Sequence, residues 1–139
     1  MRRVYTYGAW DLIHPGHIKL LERAKALGDY LIVGIVSDDA IKNLKGTDRP
    51  IQTQVDRAYV IESIIHVDEI VLQEGYDPTA NLEKCEAEGK HIDILAKGDD
   101  WDYIPGTETI EKLGGVLVKL KYTKGHSTSS IVTKLKDNK

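Results

Sequence analysis

Residues 5–28 read YTYGAWDLIHPGHIKLLERAKALG and join two different sequence patterns. The β-branched and aromatic run at residues 4–7 ends at Gly8, which predicts a short strand. Apolar residues then recur at helical spacing, at Ile18, Leu20, Leu21, Ala24 and Leu27. His14 and His17 therefore lie where the predicted strand passes into the predicted helix.

The start of a helix is suited to anions, because its first N–H groups lack helical partners and the helix dipole is positive there. Gly8 and Gly16 allow the main chain to approach a ligand, and Pro15 suits the first helical turn. Two imidazoles at such a position suggest a phosphate whose charge changes during a reaction. The alternative roles of His14 and His17 are helix capping or half of a metal site.

Composition and charge narrow the class of protein. The 139 residues are enough for one domain with a core of its own, so we predict a single domain over residues 1–139. The net charge of −3 gives no electrostatic reason to expect nucleic acid or an anionic membrane as a partner. A single cysteine, Cys85, fits a reducing compartment, and no apolar run resembles a signal peptide or membrane span. We therefore predict a cytoplasmic protein.

Strand-like runs alternate with helical patterns along the whole chain. Strands are predicted at 4–7, 30–36, 69–72, 92–96 and 116–120. Helices are predicted at 18–27, 38–44, 53–65, 79–88, 107–113 and 127–135. This order predicts an α/β fold with a five-stranded parallel sheet and helices on both faces. Ligands bind such sheets beyond the carboxyl ends of the strands, where the strand order reverses.

Two motifs resemble those of a known family. Residues 7–17, YGAWDLIHPGH, look like the HxGH signature of the cytidylyltransferase-like nucleotidyltransferases, and residues 125–130, GHSTSS, look like their C-terminal GxSTS signature. The resemblance spans almost the whole chain and implies a single Rossmann-like domain that transfers nucleotidyl groups. The most similar forms are glycerol-3-phosphate cytidylyltransferase and the adenylyltransferase domain of ADP-heptose synthesis.

The resemblance implies three catalytic residues, His14, His17 and Lys45. During nucleotidyl transfer, negative charge grows on the oxygens around the α-phosphorus and on the departing pyrophosphate, and fixed donors there stabilise the transition state. The attacking phosphate is already ionised, so no general base is required. Lys45 stands in a Leu-Lys-Gly context that reaches over the nucleotide phosphates in the family, although a loop lysine is ordinarily only solvated.

The resemblance also implies residues that bind the substrates. Those expected to bind the nucleotide are Tyr7, Gly8, Ala9, Trp10, Asp11, Gly16, Arg57, Gly98, Asp99, Trp101, Tyr122, Gly125, Ser127, Thr128 and Ser129. Asp11, Asp38 and Lys45 are expected to contact the acceptor. The alternatives are a surface role for Arg57, turn formation for the Asp pair after Gly98, and capping alone for Ser127. Mg²⁺ is expected to arrive with the triphosphate, helped by Asp11, and no resident metal site is predicted.

The choice of nucleotide rests on conflicting segments. Residues 98–101, GDDW, resemble the cytidylyltransferase branch, whereas residues 44–50, LKGTDRP, resemble the ADP-heptose branch. Tyr122, Lys124 and His126 depart from the pattern of the glycerol-3-phosphate enzymes. We expect transfer of CMP from CTP to a small phosphorylated alcohol, polyol or sugar, with release of pyrophosphate. The alternatives are an ATP-dependent adenylyltransferase acting on a sugar phosphate and a nucleotide-binding sensor without turnover. A homodimer is expected because relatives commonly form one.

Overall fold

A computed structural model describes residues 1–121. The strands in this part are β1 (Arg3–Gly8), β2 (Tyr30–Val36), β3 (Glu69–Gln73), β4 (Ile94–Gly98) and β5 (Val116–Leu120). The helices are α1 (Pro15–Ala26), α2 (Asp38–Lys45), α3 (Gln54–Glu62), α4 (Thr79–Ala87) and α5 (Thr107–Lys112). The predicted helix at 127–135 and the GxSTS motif lie outside the described residues.

The five strands form one parallel sheet in the order β3-β2-β1-β4-β5. Strand β1 pairs with β2 from Arg3 opposite Tyr30 to Gly8 opposite Ile35, and it pairs with β4 through Val4 and Tyr5. The chain first adds strands on one side of β1 and then crosses to the other side, so the strand order reverses between β1 and β4. The predicted five-stranded parallel sheet is confirmed, and a ligand crevice is expected between these two strands.

Alternate residues of β1 face two separate hydrophobic clusters. Val4 belongs to the cluster that contains Leu21 of α1 and Ile61 of α3. Tyr5 belongs to the other cluster, together with residues from the remaining helices, namely Ile41, Leu82, Cys85 and Ile110. Helices α1 and α3 therefore cover one face of the sheet and α2, α4 and α5 cover the other. Because both faces are covered, the central strands β1 and β2 are almost entirely buried, whereas the edge strands β3 and β5 are more exposed.

Several predicted boundaries differ from the structure by one to three residues, and for two of them the hydrogen bonds show why. Strand β4 is shifted two residues toward the C-terminus, because Lys97 and Gly98 continue the ladder and pair with Lys119 and Leu120 of β5. Helix α3 ends at Glu62 rather than at residue 65, since the N–H of Ile64 bonds to the carbonyl three residues earlier and tightens the chain into a turn. Within residues 1–121, no helix is both long and apolar enough to cross a membrane.

Candidate active site

The two histidines lie at the start of α1, and the helix fixes which nitrogen of each ring carries a proton. His14 is the N-cap residue, and its Nδ1 accepts a hydrogen bond from the N–H of Gly16 at 3.0 Å. The Nδ1 of His17 accepts from the N–H of His14 at 3.2 Å. In a neutral imidazole with Nδ1 as the acceptor, the proton is on Nε2. Capping, proposed as an alternative to catalysis, thus leaves both Nε2–H groups as donors.

The two rings lie together beneath the loop that leaves β1. Their centroids are 3.8 Å apart, and the ring of Trp10 meets His17 edge-on at 5.7 Å. Trp10 is buried and donates from Nε1 to the carbonyl of Gly34 on β2 at 3.0 Å. Gly8 makes room for this indole, because a Cβ at that position would lie 3.1 Å from the Trp10 ring. Gly8 thus leaves room for Trp10, and its contact with the nucleotide stays a prediction.

His17 is neutral at physiological pH. Burial lowers its pKa from 6.5 to about 3, and His14, Lys45 and Lys97 contribute in the same direction. An uncharged His17 can donate from Nε2 while adding no further positive charge to a crowded cationic site. The effect of the two lysines on this pKa also indicates that their ammonium groups lie near the histidine pair.

Asp11 holds the loop between α2 and α3 against the loop that follows β1. Its carboxylate accepts hydrogen bonds from the N–H of Ile51 at 2.7 Å and of Gln52 at 2.9 Å. The side chain of Gln52 in turn accepts from the N–H of Leu12 at 3.0 Å. Asp11 was predicted to contact the acceptor and Mg²⁺. The hydrogen bonds described here give it a further role, because they hold the loop between α2 and α3 in position.

Arg57 is fully buried, and its guanidinium donates hydrogen bonds to main-chain carbonyls and to a carboxylate. Its guanidinium donates to the carbonyls of Gln52, Ala9 and Val36 at 2.6 to 3.1 Å. It also forms an ion pair with Asp38 at 2.7 Å. The sequence predicted that Arg57 contacts phosphate. In the structure, the planar guanidinium of Arg57 joins three segments at the carboxyl edge of the sheet. Asp38, predicted to contact the acceptor, is the anionic partner of this arginine.

Lys45 is the last residue of α2, and Gly46 follows it with a φ of 101°, a conformation that favours glycine. Desolvation lowers the pKa of Lys45, and Arg49 acts in the same direction, whereas Asp11 and Asp100 raise it. Lys45 is exposed, and the two acids that act to raise its pKa belong to the loops after β1 and β4. Its catalytic role stays a prediction.

Lys97 on β4 is a site residue that the sequence analysis missed. Only 9 % exposed, it donates from Nζ to the carbonyl of Tyr7 on β1 at 2.7 Å. The same Nζ lies 4.5 Å from the centroid of the Tyr7 ring and 5.4 Å from that of Trp101. The sequence shows Lys97 between an apolar strand and the GDDW segment. A buried parallel strand usually has an apolar residue at such a position, so the lysine could have been singled out.

Trp101 stacks on Tyr76, with ring centroids 5.7 Å apart and an angle of 29° between the planes. The Tyr76 hydroxyl is buried, and within residues 1–121 it has no hydrogen-bond partner. Gly98 ends β4, and the N–H of Asp99 donates to the carbonyl of Leu120 at 2.8 Å. The structure thus brings the predicted residues of the β1 and β4 ends together at one edge of the sheet. Tyr122, Gly125, Ser127, Thr128 and Ser129 lie outside the described residues.

The described residues also bear on metal binding. Within residues 1–121, no group of three or more His, Cys, Asp or Glu side chains is arranged to hold a metal ion. Mg²⁺ in phosphoryl-transfer sites is commonly held by substrate phosphates, water and one or two carboxylates. Asp11 and Asp100 are the carboxylates that act on Lys45 and so lie near the crevice.

Comparison with known proteins agrees with this geometry. Residues 5–134 match the family model described as cytidylyltransferase-like. The chain belongs to the cytidylyltransferase-like family. The match includes the first helix with its histidine pair, Lys45, Lys97 and the GxSTS motif, so it covers both signatures that the sequence analysis singled out.

Relatives in this family match nearly all of the chain. The bifunctional protein HldE of Nitratiruptor sp. is 40 % identical over 136 residues, and that of Acidiphilium cryptum is 38 % identical over 134 residues. These alignments cover 97 % and 95 % of this chain but only 28 % and 26 % of the relatives. The chain thus spans about a quarter of the length of these curated relatives.

A solved structure resembles the whole chain. The crystal structure of the lipopolysaccharide core biosynthesis protein of Thermoplasma volcanium matches with a TM-score of 0.68 and 30 % identity, over 91 % of this chain and 99 % of that one. Pantothenate synthetase of Thermus thermophilus matches with a TM-score of 0.51 and 15 % identity, which shows a shared fold alone. The family and the α/β fold are therefore the same as those implied by the two sequence motifs.

Proposed function

We propose that this chain transfers a nucleotidyl group from a nucleoside triphosphate to the phosphate of a small acceptor and releases pyrophosphate. The observation that carries the proposal is the histidine pair at the start of α1. Two Nε2–H donors, on rings whose centroids are 3.8 Å apart, are held by backbone N–H groups before any ligand binds. Donors fixed in advance stabilise developing charge without reorganising, which is the main requirement of phosphoryl-type transfer.

In the proposed reaction an oxygen of the acceptor phosphate attacks the α-phosphorus of the triphosphate. A new oxygen–phosphorus bond forms, and the bond from the α-phosphorus to the bridging oxygen of pyrophosphate breaks. His14 and His17 donate to the oxygens that gain charge, and Lys45 neutralises the triphosphate from the end of α2. Mg²⁺ bound to the phosphates would screen the charge of the leaving pyrophosphate.

We further propose ATP as the nucleotide and a sugar phosphate as the acceptor. The sequence analysis placed CTP first because of the GDDW segment, and the comparisons support the ATP-dependent alternative better. Curated relatives are named HldE, and the solved relative is named for lipopolysaccharide core biosynthesis, which favours a sugar over glycerol. The segment at 44–50 that resembles the ADP-heptose branch also provides Lys45 at the crevice. A cytoplasmic location remains part of this proposal.

The test of nucleotide choice is a comparison of kcat/KM for MgATP and MgCTP, with pyrophosphate release as the readout. Each nucleotide is paired with sugar 1-phosphates, polyol phosphates and glycerol 3-phosphate. We expect ATP with a sugar 1-phosphate to give the highest value. A higher value for CTP with glycerol 3-phosphate would refute the choice of substrates, and no pyrophosphate from any pair would favour a sensor without turnover.

Replacing Lys45 by Ala should lower kcat roughly ten- to hundredfold, because an ammonium that faces the triphosphate is lost. Lys42→Ala is the matched control, since both lysines are exposed and lie in the last turn of α2, but only Lys45 is proposed to contact the triphosphate. Asp11 anchors residues 51 and 52, so any closure of the loop involves residues 46–50. Saturating MgATP should slow tryptic cleavage after Lys45 in the wild-type protein. Equal turnover of the two variants, or cleavage unaffected by nucleotide, would contradict this role.

We propose that a homodimer forms through the edge of the sheet at β3. Within residues 1–121 this strand pairs with β2 alone, and exposed apolar side chains lie beside it, with Leu72 46 %, Val55 74 % and Tyr59 76 % exposed. Such an edge is stabilised when a second copy covers it. We expect sedimentation to give a dimer at micromolar concentration and Tyr59→Glu to give a monomer. Val116→Glu, at the opposite edge, should leave the dimer intact. A wild-type monomer would contradict the proposal.

A further inference from the structure

Lys97 occupies the point where the strand order of the sheet reverses. Its Nζ reaches from β4 to the carbonyl of Tyr7 at the end of β1, so the side chain spans the floor of the crevice between the two strands. Ligands of open α/β sheets bind in this crevice. A buried lysine is unusual, because removing an ammonium from water is unfavourable without compensating contacts.

The contacts described for the ammonium only partly compensate its burial. One of its three N–H donors bonds to the Tyr7 carbonyl at 2.7 Å, and the faces of Tyr7 and Trp101 lie within 6 Å. The face of an aromatic ring attracts a cation, but it carries no net charge. A carbonyl and two neutral rings therefore hold the ammonium in place without neutralising it.

Two charged residues, in the loop after β4 and on α2, act on Lys97, and Lys97 in turn acts on His17. Burial lowers the pKa of Lys97 from 10.5 to about 8, Asp100 after β4 raises it, and Lys45 of α2 lowers it. Lys97 and Lys45 in turn lower the pKa of His17 on α1. Both lysines thus lower the pKa of His17, while Asp100 acts to raise the pKa of Lys97. Cationic side chains that lower the pKa values of their neighbours in this way indicate a site for an anion.

We propose that Lys97 binds a phosphate oxygen of a substrate in the crevice between β1 and β4, where it completes a pocket with Lys45 and the histidine pair. The ligand class is a phosphate ester, either the nucleotide or the phosphorylated acceptor. This inference rests on the proposed function for the identity of those ligands, but not for the binding event itself. Lys97 thereby becomes a substrate-binding residue instead of a structural lysine of the sheet.

The binding event has a proton signature. At pH 8.5 a lysine with a pKa near 8 is mostly neutral in the free protein. A phosphate oxygen beside it raises that pKa, so binding draws in part of a proton per ligand at pH 8.5, where the phosphate ligands are themselves almost fully ionised. Calorimetric titrations in two buffers with different ionisation enthalpies measure this uptake directly. MgATP and inorganic phosphate are titrated separately, to distinguish the nucleotide from the acceptor.

The matched variants are Lys97→Met, which keeps the length of the side chain and removes the charge, and Lys97→Gln. In each variant we expect the affinity for the ligand that causes proton uptake in the wild-type protein to fall roughly ten- to hundredfold. The proton uptake that the wild-type protein shows with this ligand should disappear as well. Uptake with MgATP assigns Lys97 to the nucleotide, and uptake with inorganic phosphate alone assigns it to the acceptor. Equal affinity and equal uptake in wild type and variants would overturn the inference. Proton-linked binding without pyrophosphate release would refute the proposed function alone.

Discussion

Substitution of His14 or His17 by Ala is expected to lower kcat at least a hundredfold, with a smaller change in nucleotide affinity. Each substitution removes an Nε2–H donor aimed at charge that develops only in the transition state, which is typically worth a factor of about 10² to 10³. A hundredfold loss corresponds to about 2.7 kcal/mol of transition-state stabilisation. Steady-state kinetics of pyrophosphate release, with nucleotide binding measured separately, checks this result.

The structure allows capping and catalysis to be separated. His14→Ala also removes the cap of α1, which is worth about 1 kcal/mol, too little to unfold a typical domain. His14→Asn keeps a good N-cap acceptor, and His17→Gln keeps the acceptor that the third helical residue offers to the N-cap N–H. Both variants lack the Nε2–H group, so we expect them to be as stable as wild type and as inactive as the alanine variants. Activity restored by His14→Asn would mean that capping was the only role.

Arg57→Met is expected to destabilise the protein by about 3–5 kcal/mol. The substitution removes a fully buried guanidinium and leaves the carbonyls of Ala9 and Val36 and the carboxylate of Asp38 without their donor. A loss of this size is a large part of the stability of an ordinary domain. Urea unfolding followed by circular dichroism measures the change in free energy.

Arg23→Met is the control for this prediction. Arg23 also donates to a backbone carbonyl, that of Lys121, but it lies at the surface, so its loss should change the stability by less than about 1 kcal/mol. If Arg57 acted instead as a surface contact for phosphate, Arg57→Met would weaken nucleotide binding and leave the unfolding free energy unchanged. That outcome would contradict the structural role described here.

The layout of the sheet was predictable because the apolar patterns are local. The run at residues 4–7 and the helical spacing after Pro15 placed His14 and His17 at a helix start, where the structure has them. Strand β4 was displaced by two residues because Lys97 resembles a polar residue that ends a strand. Its burial depends on Tyr7, which is 90 positions away in the sequence, and no local pattern contains that contact.

The roles of Asp11 and Arg57 were hidden for a related reason. An aspartate in a loop and an arginine near the start of α3 suggest ligand contacts in a phosphate-binding family. The described bonds of Asp11 go to main-chain groups 40 and 41 residues away, and Arg57 donates to main-chain carbonyls 5, 21 and 48 residues away. Main-chain acceptors and donors exist at almost every position, so their partners cannot be derived from residue types. Lys45 carried a recognisable sequence context, and its contact with the triphosphate stays a prediction.

The central claim is that a phosphate oxygen of the acceptor attacks the α-phosphorus of the triphosphate. Sugar 1-phosphates carrying ¹⁸O in the phosphate group are incubated with the wild-type protein and MgATP, and the products are identified by mass spectrometry. We predict a nucleotide sugar that retains all of the label and a pyrophosphate that contains none. Labelled pyrophosphate, or formation of ADP in place of pyrophosphate, would contradict the account.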